Sequence, residues 1–149
     1  MAHNKASLAR FWMAVAAYLL PTFPLGYVWH LVLFQERYHD LQMYRAEVII
    51  PLGLASMIVQ ALLFAWIYPR LFTTRRDEWF QNAIRFFALF SVLAWSFTTL
   101  PVAAKYQMAS VTSFLVLETS FTLVHFLVVS PLIALAFRDG KKSELLGDP

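Results

Sequence analysis

Four runs of residues, at about 11–34, 48–68, 86–104 and 109–137, hold one formally charged side chain between them, Glu118. At about 1.5 Å per helical residue, each run is long enough to cross a hydrocarbon core about 30 Å thick. No water is present there to bond backbone N–H and C=O groups, so each run must satisfy its own backbone, as a helix does. Composition agrees: of 149 residues 60% are hydrophobic and only 14% charged, against about a quarter charged in soluble domains. The expected fold class is therefore all-α integral membrane, an up-down-up-down bundle of four transmembrane helices. One bundle uses up the length, so residues 1–149 form a single domain.

The basic residues set the expected orientation. Lys5, Arg10, Arg70, Arg75, Arg76, Arg85, Arg138, Lys141 and Lys142 flank the spans on one side, and Arg37, Arg45 and Lys105 on the other. An excess of Lys and Arg in short loops marks the cytoplasmic side, which places both termini there and the protein in the cell inner membrane. The formal charge of +3 thus belongs to orientation. Nucleic acid is not an expected partner, because the cations do not form a stripe with base-stacking aromatics. Cysteine is absent, which removes disulfides, thiolate metal sites and cysteine nucleophiles together.

Within the first run, Leu19–Phe34 reads LLPTFPLGYVWHLVLF. Two prolines, a glycine and a histidine exceed what a plain anchor needs. Pro21 and Pro24 lack N–H groups, so the carbonyls of Ala17 and Leu20 lose their usual partners. Irregular backbone at membrane depth is tolerated where protein or trapped water covers it, which predicts that this segment packs inside the bundle. Lys5, Arg10 and the apolar Phe11–Leu20 resemble the start of a signal peptide. The apolar stretch continues to Phe34 without a small-residue cleavage pattern, so the segment reads as an uncleaved span.

The connector QERYHDLQMYRAE places Tyr38, Leu41, Tyr44 and Val48 at helical spacing, predicting a short surface helix with tyrosines at headgroup level, or a solvated connector. Gly53, Ser56 and Gln60 share a face of the second span, suited to close helix approach and an interhelical hydrogen bond from Gln60. Thr74 followed by Asp77 and Glu78 reads as a helix start. Gly140 reads as a left-handed cap closing the fourth helix.

Ionisable residues at membrane depth are costly and point to function. The candidates are His30, Glu47, Glu118 and His125. Glu118, Thr122 and His125 lie at i, i+4 and i+7, one stripe of the fourth helix. His30 and Glu118 fall at similar depth and meet if the first and fourth helices touch; Tyr27 shares the His30 face. Such a pair can simply satisfy itself and fix helix register. It can also line an outward-opening pocket for a small molecule, lipid headgroup or ion, with Gln60 and Glu47 as further ligand-binding candidates. A metal would draw on His30 and Glu118, although neither residue falls in an HxxxH or ExxH spacing. Bis-histidine haem requires level ligands, whereas His30 and His125 differ in depth by roughly 10 Å or more. No cofactor is assigned. GxSxG, P-loop, GxGxxG and HExxH motifs are absent, and so is any catalytic assignment.

GYVWHLVLF, then YHDLQMYR, then an apolar span, resembles small bacterial four-helix inner-membrane proteins grouped as domains of unknown function. The resemblance covers mainly the first half and implies a bundle in the bacterial inner membrane, with no catalytic residue to carry over. Sterol-isomerase-like bundles are a more distant comparison; their motif is not seen. The expected function is a non-enzymatic binding or transport-related membrane protein whose polar pocket takes a small hydrophobic or ionic ligand. The alternatives are a membrane enzyme or redox subunit using His30 and Glu118, and an accessory or structural subunit. Four spans line a channel poorly in a monomer, so transport implies a homo-oligomer.

Overall fold

The computed structural model describes residues 2–43, 45 and 47–139, with side chains from residue 7 onward. Every regular element among them is a helix. Helix α1 (Ala2–Val28) runs into a π-helical turn, Trp29–Leu33, and is followed by the short α2 (Gln35–Asp40). Helix α3 spans Ile50–Leu71. Helix α4 (Trp79–Ala94) continues through a second π turn, Trp95–Thr99, into α5 (Leu100–Lys105), and α6 spans Val111–Phe137. Four stretches, Ser7–Leu33, Ile50–Leu71, Trp79–Lys105 and Val111–Phe137, are long and apolar enough to cross a membrane.

Helix α1 packs on both α3 and α6, and α6 packs on α4 as well. Three contacts fix the antiparallel register of α1 and α6: Arg10 with Asp139, Thr22 with His125, and His30 with Glu118. Lipid tails are as apolar as leucine, so packing quality has to hold such helices together in a membrane. Ala14, Ala61, Ala65, Ala83 and Ala134 are buried, and their small side chains let the backbones come close. Aromatic rings fill the space they leave. Phe86 is fully buried and meets Phe64, Tyr68, Phe72 and Phe90 at centroid distances of 5.3, 5.7, 5.9 and 4.4 Å. Tyr68 stacks on Phe137 at 5.0 Å.

A polar clamp seals the same end. Arg10 Nη1 donates to Asp139 Oδ1 at 2.5 Å, Thr74 Oγ1 donates to Asp139 Oδ2 at 3.1 Å, and the Asp139 N–H bonds the Thr74 carbonyl at 2.9 Å. Thr74 is thus spent on a long-range contact and does not cap a helix. The helix begins after Glu78, with no side-chain cap, while Thr73 Oγ1 donates to Glu78 Oε2 at 2.6 Å. The helix start thus falls beside the expected Asp77 and Glu78, and the apolar stretch long enough to cross a membrane runs from Trp79 instead of the expected Phe86. Asn82 is buried, and its amide N–H₂ donates to the Thr73 carbonyl at 2.8 Å and to Thr73 Oγ1 at 3.2 Å, while its Oδ1 is buried without a partner among the described residues. On the exposed loop, Asp77 is held below its ordinary carboxylate range by its own backbone N–H and by Arg75. Gly140 lies outside the described residues.

The prolines act differently from the expectation. Helix α1 passes through Pro21 and Pro24 unbroken, and the departure from α geometry falls later, in the Trp29–Leu33 turn closed by Phe34 N–H on the Trp29 carbonyl at 3.1 Å. Nor is the segment enclosed: Thr22 and Gly26 are buried, while Leu20, Pro24, Tyr27 and Val28 are exposed. The second π turn ends just before Pro101, with Leu100 N–H on the Trp95 carbonyl. Pairing i to i+5 carries the carbonyl register past a residue that has no N–H to give.

At the other end α2 folds inward. Tyr38 and Leu41 are buried beside Phe114, against Met108, Val102 and Leu117. The Ala109 N–H bonds the Leu41 carbonyl at 3.1 Å, joining the two loops of this end. Gln42, at φ 56°, ends the helix in the left-handed region. The connector is therefore neither a headgroup-level helix nor a solvated loop through Tyr38 and Leu41; Tyr44 lies outside the described residues.

Candidate functional site

The π turn of α1 and the inward fold of α2 bring three polar side chains together. His30 Nε2 lies 3.5 Å from Glu118 Oε1, and both side chains are about one-fifth exposed, 21% and 19%. The Tyr38 hydroxyl donates to the same Oε1 at 2.8 Å. His30 Nδ1 lies 2.9 Å from the Gly26 carbonyl oxygen. A carbonyl can only accept, so Nδ1 carries a hydrogen, and attraction between Nε2 and the carboxyl then requires a proton on one of the two. The cluster is thus a His–Glu pair at ion-pair distance, with a tyrosine hydroxyl donating to the carboxyl. Tyr38 escaped the sequence reading. Its signal was the i, i+3 pairing with Leu41, which marks a buried face as readily as a headgroup anchor.

Phe121 separates this cluster from a second one. Its ring meets His30 edge-on at 4.5 Å and lies parallel to His125 at 5.6 Å. His125 Nε2 pairs with Thr22 Oγ1 at 2.9 Å, and the Tyr18 hydroxyl donates to Gln60 Oε1 at 2.5 Å. Tyr18 and His125 are in edge contact at 5.4 Å. The stripe of Glu118, Thr122 and His125 therefore divides. Glu118 and His125 face α1, whereas Thr122 lines a small cleft of about 130 Å³ against Ser91 and Trp95. The two imidazole Nε2 atoms point at different partners and share no common ligand position. Among the described residues no three His, Asp or Glu side chains gather as a metal site would need, which leaves His30 and Glu118 as a two-donor pair.

His30 also forms part of the wall of a groove of about 390 Å³ between α1 and α3. Phe23, Leu54, Met57 and Phe121 make its apolar surface, Tyr27 lies beside His30, and Arg45, Val48 and Ile49 come from the connector and the start of α3. Glu118, Thr122, His125, Gln60 and Glu47 do not line it. Glu47 is exposed in the connector.

Two glycines shape this groove in opposite ways. A Cβ on Gly26 would come 3.3 Å from Met57 Cε, so this glycine permits the close approach of α1 to α3. At Gly53 a Cβ would meet nothing within 4 Å. Gly53 faces open groove instead of serving the helix contact expected of it, and Ser56 turns back to bond the Gly53 carbonyl at 3.0 Å. Compared with family models, curated proteins and solved structures, the chain matches none.

Proposed function

We propose that this protein is a non-enzymatic binding or transport-related protein of the bacterial inner membrane, and that the groove between α1 and α3 is its ligand site. Both termini lie in the cytoplasm, with the helices running up-down-up-down, on the strength of nine Lys and Arg flanking one side and three the other. The groove then opens in the outer half of the bilayer. The observation that carries the reading is the groove itself: about 390 Å³, within the roughly 300–1,000 Å³ usual for small-molecule sites, with Gly53, in the first turn of α3, facing open space. The His30–Glu118–Tyr38 cluster backs the groove and holds the π turn that forms its wall.

Native mass spectrometry of the protein released from mild detergent tests this. Wild type retains an added mass, and Gly53→Leu, which places a side chain in open space, loses it while keeping the helical content of wild type. The same bare mass for both proteins, or an added mass that Gly53→Leu leaves in place, would remove the groove as a ligand site.

A further inference from the structure

We infer that the ligand is a single-chain amphiphile with an anionic head, bound chain-first with its carboxylate or phosphate at Arg45. This rests on the groove reading above and adds the chemistry of the occupant. Inside the groove polar side chains are few: His30 and the half-exposed Tyr27 beside it. Among the described residues His30 is the only imidazole in the wall, yet its Nδ1 is held at the Gly26 carbonyl and its Nε2 faces Glu118. What His30 offers a ligand is therefore ring surface, continuous with Phe121 and Phe23. An anionic head placed deep in the groove would lose water and find only the Tyr27 hydroxyl in its place, with no cation to balance its charge, which is costly at low dielectric.

The mouth is different. Arg45 is exposed and is the one formally charged lining side chain among the described residues. The ion pairs found among those residues use Arg10, His30 and Arg75, and leave Arg45 out. A guanidinium presents a planar fork of donors that fits a carboxylate or phosphate in two-point fashion. An apolar slot with one unbalanced cation at its rim complements a molecule of the opposite build: one apolar chain ending in one anion. The groove lies near the lower end of the usual size range, which suits one chain better than two. The two sources of such a molecule are a free fatty acid and a lysophospholipid with an anionic phosphate.

The full chain in maltoside micelles is titrated, by native mass spectrometry, with palmitate, 1-palmitoyl lysophosphatidate and the uncharged hexadecanol. One anion binds per chain, at least about tenfold tighter than hexadecanol. Arg45→Gln removes most of that preference, as expected for loss of a charge-assisted contact, and Arg45→Lys restores part of it. Which of the two anions binds tighter identifies the source. Equal binding of hexadecanol and palmitate, or an Arg45→Gln protein that keeps the preference, overturns the anionic head and leaves the groove standing. Palmitate binding that survives in Gly53→Leu overturns the groove reading itself.

Discussion

The Arg10 end and the His30 end of the bundle are built from the same helices, yet they solve the packing problem differently. At the Arg10 end, small residues draw the backbones together, Phe86 and its neighbours fill the centre, and Asp139 ties α1, the α3–α4 loop and the end of α6 into one clamp. At the His30 end, α3 stands off from α1 enough to leave about 390 Å³ open, and α2 fills the other side of α1 by presenting Tyr38 to Glu118. The closed end is held by shape. The open end is held by a few hydrogen bonds in a place where an unpaired polar group is expensive. A bundle that only needed to persist in a membrane gains nothing from the second arrangement, and this difference is the reason the proposed ligand site is put at the His30 end.

The sharpest way to break the comparison is to open the closed end. Phe86→Ala removes a fully buried ring with four aromatic neighbours, and a substitution of that kind typically costs about 3–5 kcal/mol. Leu54→Ala, on the groove wall, widens space that is already open and should cost under about 1 kcal/mol. Denaturation in mixed micelles, followed by helical circular dichroism, measures both. Similar losses at the two positions would mean that the groove is closed in the folded protein and that the two ends are equivalent.

The next largest effect separates polar support from shape at the His30 end. Glu118→Ala leaves the Tyr38 hydroxyl and His30 without their shared acceptor, an expected loss of about 2–3 kcal/mol for a charge-assisted pair in a poorly hydrated site. Glu118→Gln should cost less than half as much, because its amide N–H₂ can donate to His30 Nε2 while its oxygen still accepts from Tyr38. A double-mutant cycle of Tyr38→Phe with Glu118→Ala should return about 1 kcal/mol or more of coupling. Coupling near zero would reduce the cluster to three polar residues that happen to be near one another.

Much of the fold could be read from the chain because the bilayer simplifies the problem. A long uncharged run has few options there, so the four spans followed from hydropathy, and depth put His30 level with Glu118; that the two meet depended on which helices touch, which α1 packing on α6 decides. Details that depend on side-chain direction did not follow. Tyr38 reads as a headgroup tyrosine because its helical spacing is the same whether the helix lies on the surface or turns in; only the contact with Glu118 decides. Thr122 falls on the Glu118–His125 stripe, yet at 3.6 residues per turn it is rotated about 40° from Glu118 and about 60° from His125, enough to face α4. Pro21 and Pro24 suggested a broken helix, but an α-helix in a bundle survives missing N–H groups when neighbouring packing holds the backbone. The π turn at Trp29 carries no sequence mark of its own.

The two glycines give the smallest effects and the cleanest discrimination, since the same substitution is made twice on one groove. In a helix interior, alanine is favoured over glycine by about 1 kcal/mol, which is the upper limit at Gly53, in the first turn of α3. At Gly53 nothing opposes that gain, because the new methyl enters open space; Gly53→Ala should stabilise the protein by up to about 1 kcal/mol while narrowing the groove. At Gly26 the same methyl meets Met57 Cε at 3.3 Å, so the thioether end must shift by a few tenths of an ångström, and the propensity gain is offset in part or in full. Thermal unfolding in one detergent should therefore place Gly53→Ala above wild type and Gly26→Ala at or below it. Reversal of that order would mean that α3 closes onto α1 at Gly53 and that the open end is a second closed one. The predicted order would mean instead that a stabilising alanine is within reach at Gly53, and that glycine there keeps volume free at a cost in helix stability.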